Sequence, residues 1–385
     1  MEVHQGSAQV APWAAGRRVV FKELGESPME AVDRFLAIVD QPLPEPGECK
    51  PHEVILRIES SAVSWIDLVM ASGQYQHRCY PPYTPGVEYS GVVLWAGSAV
   101  DPKAIAVGDR VLSDFTAAGP RAKTAYQGAG GFAGYAVVPA TALSRIPATL
   151  DFDQAANLLL SYETAYFCIV TRGRVQAGET VLIHGASGAS GLAAVQICRM
   201  LGAKVIATGR SDEKLQFVKT QGADHVINTR ATDDPSSIRS FRDEVKDLTG
   251  GKGVDAVFDT VGGDVSLESL RCVAFGARFL IVGWASTPNV ADGKGRRGAP
   301  RVNMLPTNLI QMKALDVLGC PAAITVERSP ELREPRKALI LEWAAAGKIA
   351  PHVSRVFRMD QAREALRARW DGGITGGCAL RPWET

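Results

Sequence analysis

A strand that runs into a glycine loop and then into a helix constrains this 385-residue chain more than any other feature. Val181-Leu-Ile-His-Gly-Ala-Ser-Gly-Ala-Ser-Gly-Leu-Ala-Ala-Val195 opens as an apolar strand over Val181–Ile183, passes a turn of small residues, and continues as an apolar helix over Gly191–Leu201. The spacing is Ala186-x-Gly188-x-x-Gly191, with alanine at the first glycine position. The flanking strand and helix distinguish such a loop from an ordinary tight turn and point to a dinucleotide pyrophosphate. Gly188 lets the backbone approach the phosphates, and Gly191 lets helix and strand lie close. The helix N-terminus offers N–H groups without intrahelical partners and a positive dipole end to the anion. Ala186, Ser187, Gly188, Ala189, Ser190 and Gly191 are the candidate cradle.

The next strand, at 204–208, ends in Gly209-Arg210-Ser211. An Asp or Glu at this point would bond the adenosine ribose hydroxyls and select NAD. Gly209 stands there instead, so no carboxylate repels a 2′-phosphate. Arg210, Ser211 and Lys214 supply a planar fork, a hydroxyl and an ammonium, the groups that a phosphate monoester requires. The alternative is that Arg210 and Lys214 are solvated side chains at a helix start. The cofactor expected from this pattern is NADPH.

Alternation of helix and strand extends from about residue 158. Strands are predicted at 180–184, 204–208, 224–227, 254–258, 278–282 and 315–319, with helices at 191–201, 212–221, 236–249, 264–274 and 307–313. Six strands with helical crossovers make a doubly wound parallel sheet of the α/β class, with its ligand crevice at the carboxyl edge. Val261, Gly262, Val282 and Gly283, which follow two of these strands, are further candidate cofactor contacts. Residues 19–157 read as mostly β, in short strands punctuated by glycine and proline as in a barrel-like domain. The tail carries helices at 335–346 and 360–369 and a closing strand at 377–381. Because six strands are complete before it, the tail is assigned back to the first domain. The division is thus 1–157 with 323–385, and 158–322.

A chain of this length accommodates two domains, and its 46% hydrophobic and 22% charged residues are those of a soluble globular protein. A net charge of +1 argues against nucleic acid and membrane surfaces as partners. The first 16 residues lack the basic and apolar regions of a secretory signal and read as a loosely docked extension. The seven scattered cysteines contain no C-x-x-C pair, and Cys168, Cys198, Cys272 and Cys320 read as core thiols, so a cytoplasmic setting is expected. His77-x-Cys79 has no second pair of ligands nearby, so no metal is assigned to it. The loop 286–302 is long and basic (Lys294, Arg296, Arg297, Arg301), either a solvated surface loop or a lid over the substrate.

Residues 50–385 resemble the medium-chain dehydrogenase/reductase superfamily, in its zinc-free quinone-oxidoreductase and enoyl-reductase branch. The matching motifs are Ser64-Trp-Ile-Asp67, Ser72-Gly-Gln-Tyr75, Pro85-Gly-Val-Glu-Tyr-Ser-Gly91, Gly108-Asp-Arg-Val111 and Thr164-Ala-Tyr166. They continue with the glycine loop, Lys252-Gly-Val-Asp-Ala-Val-Phe-Asp-Thr-Val-Gly262 and Gly376-Gly-Cys378. The resemblance implies a GroES-like, mostly-β catalytic domain beside a Rossmann NADPH-binding domain. The zinc alcohol dehydrogenases of the superfamily place cysteine, histidine and cysteine where this chain has Ser64, Val87 and, close by, Leu160. Without thiolate or imidazole there, no catalytic zinc site can be assembled. Within the zinc-free branch asparagine is usual at Ser64 and lysine at Cys378.

Hydride transfer from NADPH to an electron-poor C=C bond of an unsaturated carbonyl compound or acyl thioester, or to a quinone, is the implied chemistry. A catalytically weak NADPH-binding protein is the reading from another class. Tyr75 aligns with the tyrosine proposed as proton donor in related enoyl reductases; the alternative is a pocket wall. Thr164 resembles the threonine that contacts the nicotinamide ring, or is a helix hydroxyl. Ser64 is the third candidate catalytic residue, and Asp67 reads as structural. Trp65, Trp95 and Trp284 are candidate pocket walls or core residues. The family also implies a homodimer through paired sheet edges, with strand 315–319 or its neighbour as the edge.

Overall fold

The computed structural model describes residues 13–232, 234, 237–286 and 303–384. Six parallel strands form one sheet in the spatial order His225–Asn228, Lys204–Gly209, Thr180–Ile183, Val254–Asp259, Val273–Ile281 and Asp316–Gly319. The order reverses between Thr180–Ile183 and Val254–Asp259, which opens a crevice beyond their carboxyl ends. Side chains alternate between two cores. Val181 and Ile183 face a cluster with Ala193, Ile197 and Tyr162, whereas Leu182 joins Phe241, Val245 and Leu270 on the other face. Both faces are covered, so these strands read as continuous apolar runs.

A second sheet of seven strands lies beside the first. Its long central strand, Glu53–Ala62, pairs antiparallel with Tyr89–Ala96 along one edge and with Tyr135–Pro139 along part of the other. The chain's last strand, Gly377–Arg381, continues that edge with Ala379 opposite Ala62, and Val353–Arg358 joins parallel to it. Arg110–Ser113 and Leu143–Arg145 complete the sheet. Gly16–Phe21 and Leu36–Gln41 form an antiparallel pair of their own, which the sequence pattern does not announce. The fold is α/β, with a mostly-β GroES-like part and a six-stranded parallel sheet.

Two helices are shorter than their periodicity predicts. The segment expected over 236–249 is helical over Arg242–Leu248. Glu268 explains where it starts: its Oε1 accepts from the backbone N–H of Phe241 and Arg242, both at 3.2 Å, and from the Ser240 hydroxyl. That carboxylate caps the helix from a neighbouring element, the short helix Asp264–Ser269. The stretch expected to be helical to 274 ends at Ser269 because Val273 already pairs with Val254 in the sheet. Among the described residues no helix is long and apolar enough to cross a membrane. The expectations for residues 1–12 and 287–302 lie outside the described residues.

Candidate active site

Gly185, one place before the expected loop start, adopts the left-handed conformation at φ 62°, and a Cβ there would sit 2.5 Å from the Thr260 hydroxyl oxygen. The turn therefore belongs to Gly185. Ala186 is fully buried, and its N–H reaches Thr208 O at 3.2 Å. A Cβ on Gly191 would come within 2.3 Å of Gly185 O, so the helix Ala189–Met200 leans on the loop at a distance open to glycine alone. Gly188 stands at the helix N-cap with no side-chain cap, leaving the first-turn N–H groups of Ala189 and Ser190 toward the crevice. From the other sheet, Gly376 N–H donates to Ser187 O at 2.7 Å. Gly376 thus forms a wall of the crevice that the glycine spacing does not reveal.

At the end of the second strand, exposed Arg210 makes no hydrogen bond or ion pair with a described residue. Ser211 caps the next helix by accepting from Lys214 N–H at 3.5 Å. The Lys214 ammonium donates to Ile374 O at 3.0 Å and to Gly372 O. Burial and then Arg369 hold its pKa below the ordinary lysine value. Two of its three N–H groups tie the two sheets together, and one remains for a ligand.

The amides of Val261 and Gly262 are taken. Both donate to Asp259 Oδ1, at 2.8 and 3.0 Å, while the other carboxylate oxygen accepts from Ser266 Oγ. Val282 and Gly283 donate to Asp259 O at 2.9 and 3.1 Å. The backbone N–H groups of these four candidate contacts are therefore spent on Asp259. His184, buried completely, bridges Thr208 Oγ1 at 2.7 Å and Ser269 Oγ at 2.6 Å behind the loop. Burial pushes its pKa down to about 4, so it is neutral.

Across the crevice, Ser64 and Asp67 form the capping box of the helix Trp65–Ala71. Ser64 Oγ donates to Asp67 Oδ2 at 2.7 Å, and the other carboxylate oxygen accepts from Gly86 N–H at 2.8 Å. Thr164 Oγ1 donates to Leu160 O at 2.7 Å, so its proton is occupied while its lone pairs are open. Tyr75 follows the helix, and its phenol oxygen accepts from Arg121 Nε at 3.2 Å. Because Arg121 is the donor, the Tyr75 O–H remains available to a ligand. Trp65 stacks on Trp370, with centroids 5.3 Å apart and planes at 5°. Trp284 is 49% exposed and lies against Gly262, as a crevice wall would, while Trp95 pairs with Ile55 in the sheet.

Family models match two stretches: an alcohol dehydrogenase GroES-like domain over residues 50–148 and a zinc-binding dehydrogenase domain over residues 189–322. Quinone oxidoreductase-like protein 2 of Bos taurus is 32% identical over 86% of this chain and 84% of its own length. The chain belongs to the quinone oxidoreductase branch of the medium-chain dehydrogenase/reductase superfamily. Among solved structures, Escherichia coli quinone oxidoreductase complexed with NADPH matches with a TM-score of 0.74 at 26% identity, over 95% of this chain and all of that one. A probable oxidoreductase from Mycobacterium abscessus matches with a TM-score of 0.75 at 28% identity, over 96% and 99% of the two chains.

Within this oxidoreductase family, the residues at the zinc-ligand positions do not fit a metal. Val87 is fully buried in the apolar cluster against which Leu160 packs, and neither carries a donor atom. Ser64 Oγ is engaged by Asp67. Among the described residues no three His, Cys, Asp or Glu side chains gather as a metal site. Where lysine is usual in the branch this chain has Cys378, fully buried. Arg369, from the helix Ala362–Trp370, lies beside it, donating to Cys378 Sγ at 3.5 Å, to Gly376 O at 2.9 Å and to Val63 O at 3.0 Å.

Proposed function

We propose that this oxidoreductase is NADPH-dependent and reduces the C=C bond of an α,β-unsaturated carbonyl compound or acyl thioester without a metal ion. The observation that carries the reading is the Tyr75 phenol, held from behind by Arg121 with its own proton free. Bound NADPH would supply the hydride. The loop 185–191 and the first turn of its helix would hold the pyrophosphate, and Arg210, Ser211 and Lys214 the 2′-phosphate. Tyr75 would donate a hydrogen bond to the substrate's carbonyl oxygen, stabilise the enolate and then release its proton to it. Thr164 and Trp284 would bound the nicotinamide side. Quinone reduction is the second reading, favoured by the relatives' quinone oxidoreductase names, and it needs no phenol donor.

The division into residues 1–157 with 323–385 and 158–322 is part of this reading. So is a homodimer across the edge strand Asp316–Gly319, beside which Phe275 (81%) and Met312 (68%) expose apolar surface. A monomeric mass by light scattering at micromolar concentration would remove the dimer. NADPH consumption with a crotonyl thioester, a 2-alkenal and a naphthoquinone tests the reaction. Turnover of the first two with a saturated product supports the proposal. Turnover of the quinone alone would replace it with the second reading.

A further inference from the structure

Arg121 has no carboxylate in contact with it among the described residues, although its charge helps to lower the pKa of Glu327 from farther off. It is 3% exposed and makes one hydrogen bond, Nε to the neutral phenol of Tyr75. Its guanidinium carbon lies 4.9 Å from the Phe115 ring centroid, against the π-face. No carboxylate of a described residue lies within ion-pair distance of it. The neighbouring acids have nearer partners: Glu327 holds Lys123 at 2.6 Å and lies 3.1 Å from His77 Nδ1, and Asp114 holds Arg333 and Lys337. His77, whose ring centroid is 5.7 Å from that of Tyr75, is buried with Nδ1 3.1 Å from Glu327 Oε1. Burial, Arg121 and Lys123 press its pKa down to about 4 against the pull of Glu327, so it adds no charge to the site at neutral pH.

A buried cation without a counter-ion is expensive and persists where something else completes it. The terminal nitrogens of a guanidinium form a planar fork that matches a carboxylate in two-point contact. Those nitrogens of Arg121 make no hydrogen bond to any described residue. We propose that Arg121 is the receptor for a carboxylate on the substrate, which makes the preferred substrates unsaturated carbonyl compounds that bear a free carboxylate beyond the double bond. This rests on the reductase reading, with Tyr75 on the carbonyl oxygen. The two donors are adjacent, so one small molecule presents its carbonyl oxygen to Tyr75 and its carboxylate to Arg121.

Two compounds with the same five-carbon skeleton compare the group: β-acetylacrylate and ethylideneacetone, in which a methyl group replaces the carboxylate. The wild-type protein is expected to favour β-acetylacrylate in kcat/KM by about 10- to 100-fold over the ratio measured for Arg121→Gln, which calibrates the intrinsic reactivity. Levulinate and methyl propyl ketone, the saturated counterparts, give the same comparison by calorimetric binding to the wild type and need neither turnover nor a variant. Tighter binding of levulinate, lost in Arg121→Gln, supports the receptor. An unchanged ratio in Arg121→Gln overturns it, leaving Arg121 to position Tyr75. If that variant does not fold, equal binding of levulinate and the ketone to the wild type overturns it as well. Levulinate binding through Arg121 without reduction of either alkene would keep the receptor and remove the reductase reading. Reduction of both alkenes with a kcat/KM ratio that Arg121→Gln leaves unchanged would do the reverse.

Discussion

Arg333 grips Glu163 at two points, with Nε donating to Oε2 at 3.0 Å and Nη2 to Oε1 at 2.8 Å. Arg336 adds a third bond at 3.0 Å, and Asp114 takes Nη1 of Arg333. All four side chains are buried. The grip fastens the helix Arg333–Ala345 to the helix Leu159–Tyr166, one residue before Thr164. Glu88 lies beside this network with its pKa pushed well above the carboxylate range by burial and by Glu163, although Leu160 N–H and Arg333 oppose the shift. The ion-paired charges are two acids, Glu163 and Asp114, against two guanidiniums and the Lys337 ammonium, which lies 3.5 Å from Asp114 Oδ2.

Removing one of those acids leaves a buried cation unbalanced. Glu163→Gln is expected to destabilise the fold by about 3–5 kcal/mol. Urea unfolding measures it. A loss below about 1 kcal/mol would mean that the grip does not anchor the tail.

Histidine burial gives the protein an acid limit. His184 binds a proton at about pH 6.5 when unfolded and at about 4 when folded. The unfolded chain therefore takes up the proton first, so stability is fully present above pH 6.5 and falls as pH drops toward 4, by up to about 3 kcal/mol. His77, also pushed down to about 4, acts in the same direction. Unfolding free energy measured from pH 7 to 4.5 should decline, and His184→Asn should flatten part of the decline. A slope unchanged in that variant would assign the whole effect to other groups.

The features legible in the sequence are those fixed by near neighbours. The strand at 180–183, the loop and the helix lie within about twenty residues, and burial on both faces writes the parallel strands as apolar runs. Even there Gly185 escaped the spacing, because an alanine stands where the motif's first glycine is sought. Features made by distant partners left no periodic trace. Arg121 meets Tyr75 across 46 residues, and the 242–248 helix starts where Glu268 caps it. Asp259 withdraws the amides of Val261 and Gly262, although in sequence they look as open as those of the glycine loop. Arg369 meets Cys378 from another element, nine residues before it.

Positions 64, 87 and 160 present a hydroxyl, an isopropyl and an isobutyl group, none of which is a zinc ligand of useful affinity. Purified protein is expected to hold no stoichiometric zinc, and a chelator to leave turnover unchanged. Stoichiometric zinc whose removal abolishes activity would overturn the metal-free reading.

Tyr75→Phe removes the free phenol proton while keeping the ring. For an enone substrate kcat is expected to fall on the order of 10²-fold, with NADPH affinity nearly unchanged. A fall smaller than about threefold would make Tyr75 a wall of the pocket, with water as the proton source.

The proposed choice of NADPH rests on the end of the second strand. Arg210, exposed and unpaired with any described residue, is the cation free to take a 2′-phosphate, whereas Lys214 keeps one N–H beyond its bonds to Gly372 O and Ile374 O. Charge-assisted hydrogen bonds of about 1.5–3 kcal/mol translate into a loss of roughly 10- to 150-fold in NADPH affinity for Arg210→Ala, with NADH affinity barely changed. Gly209→Asp should shift the preference further, because a carboxylate repels the phosphate and accepts from the NADH ribose. Its Cβ would stand 3.2 Å from Leu215 Cδ2, so the leucine must yield slightly, and a modest drop in Tm is expected with it. The measurement is KM and kcat with both cofactors in the wild type and the two variants. Equal losses with NADPH and NADH in Arg210→Ala, or a wild-type preference for NADH, would show that the phosphate is not read at Arg210.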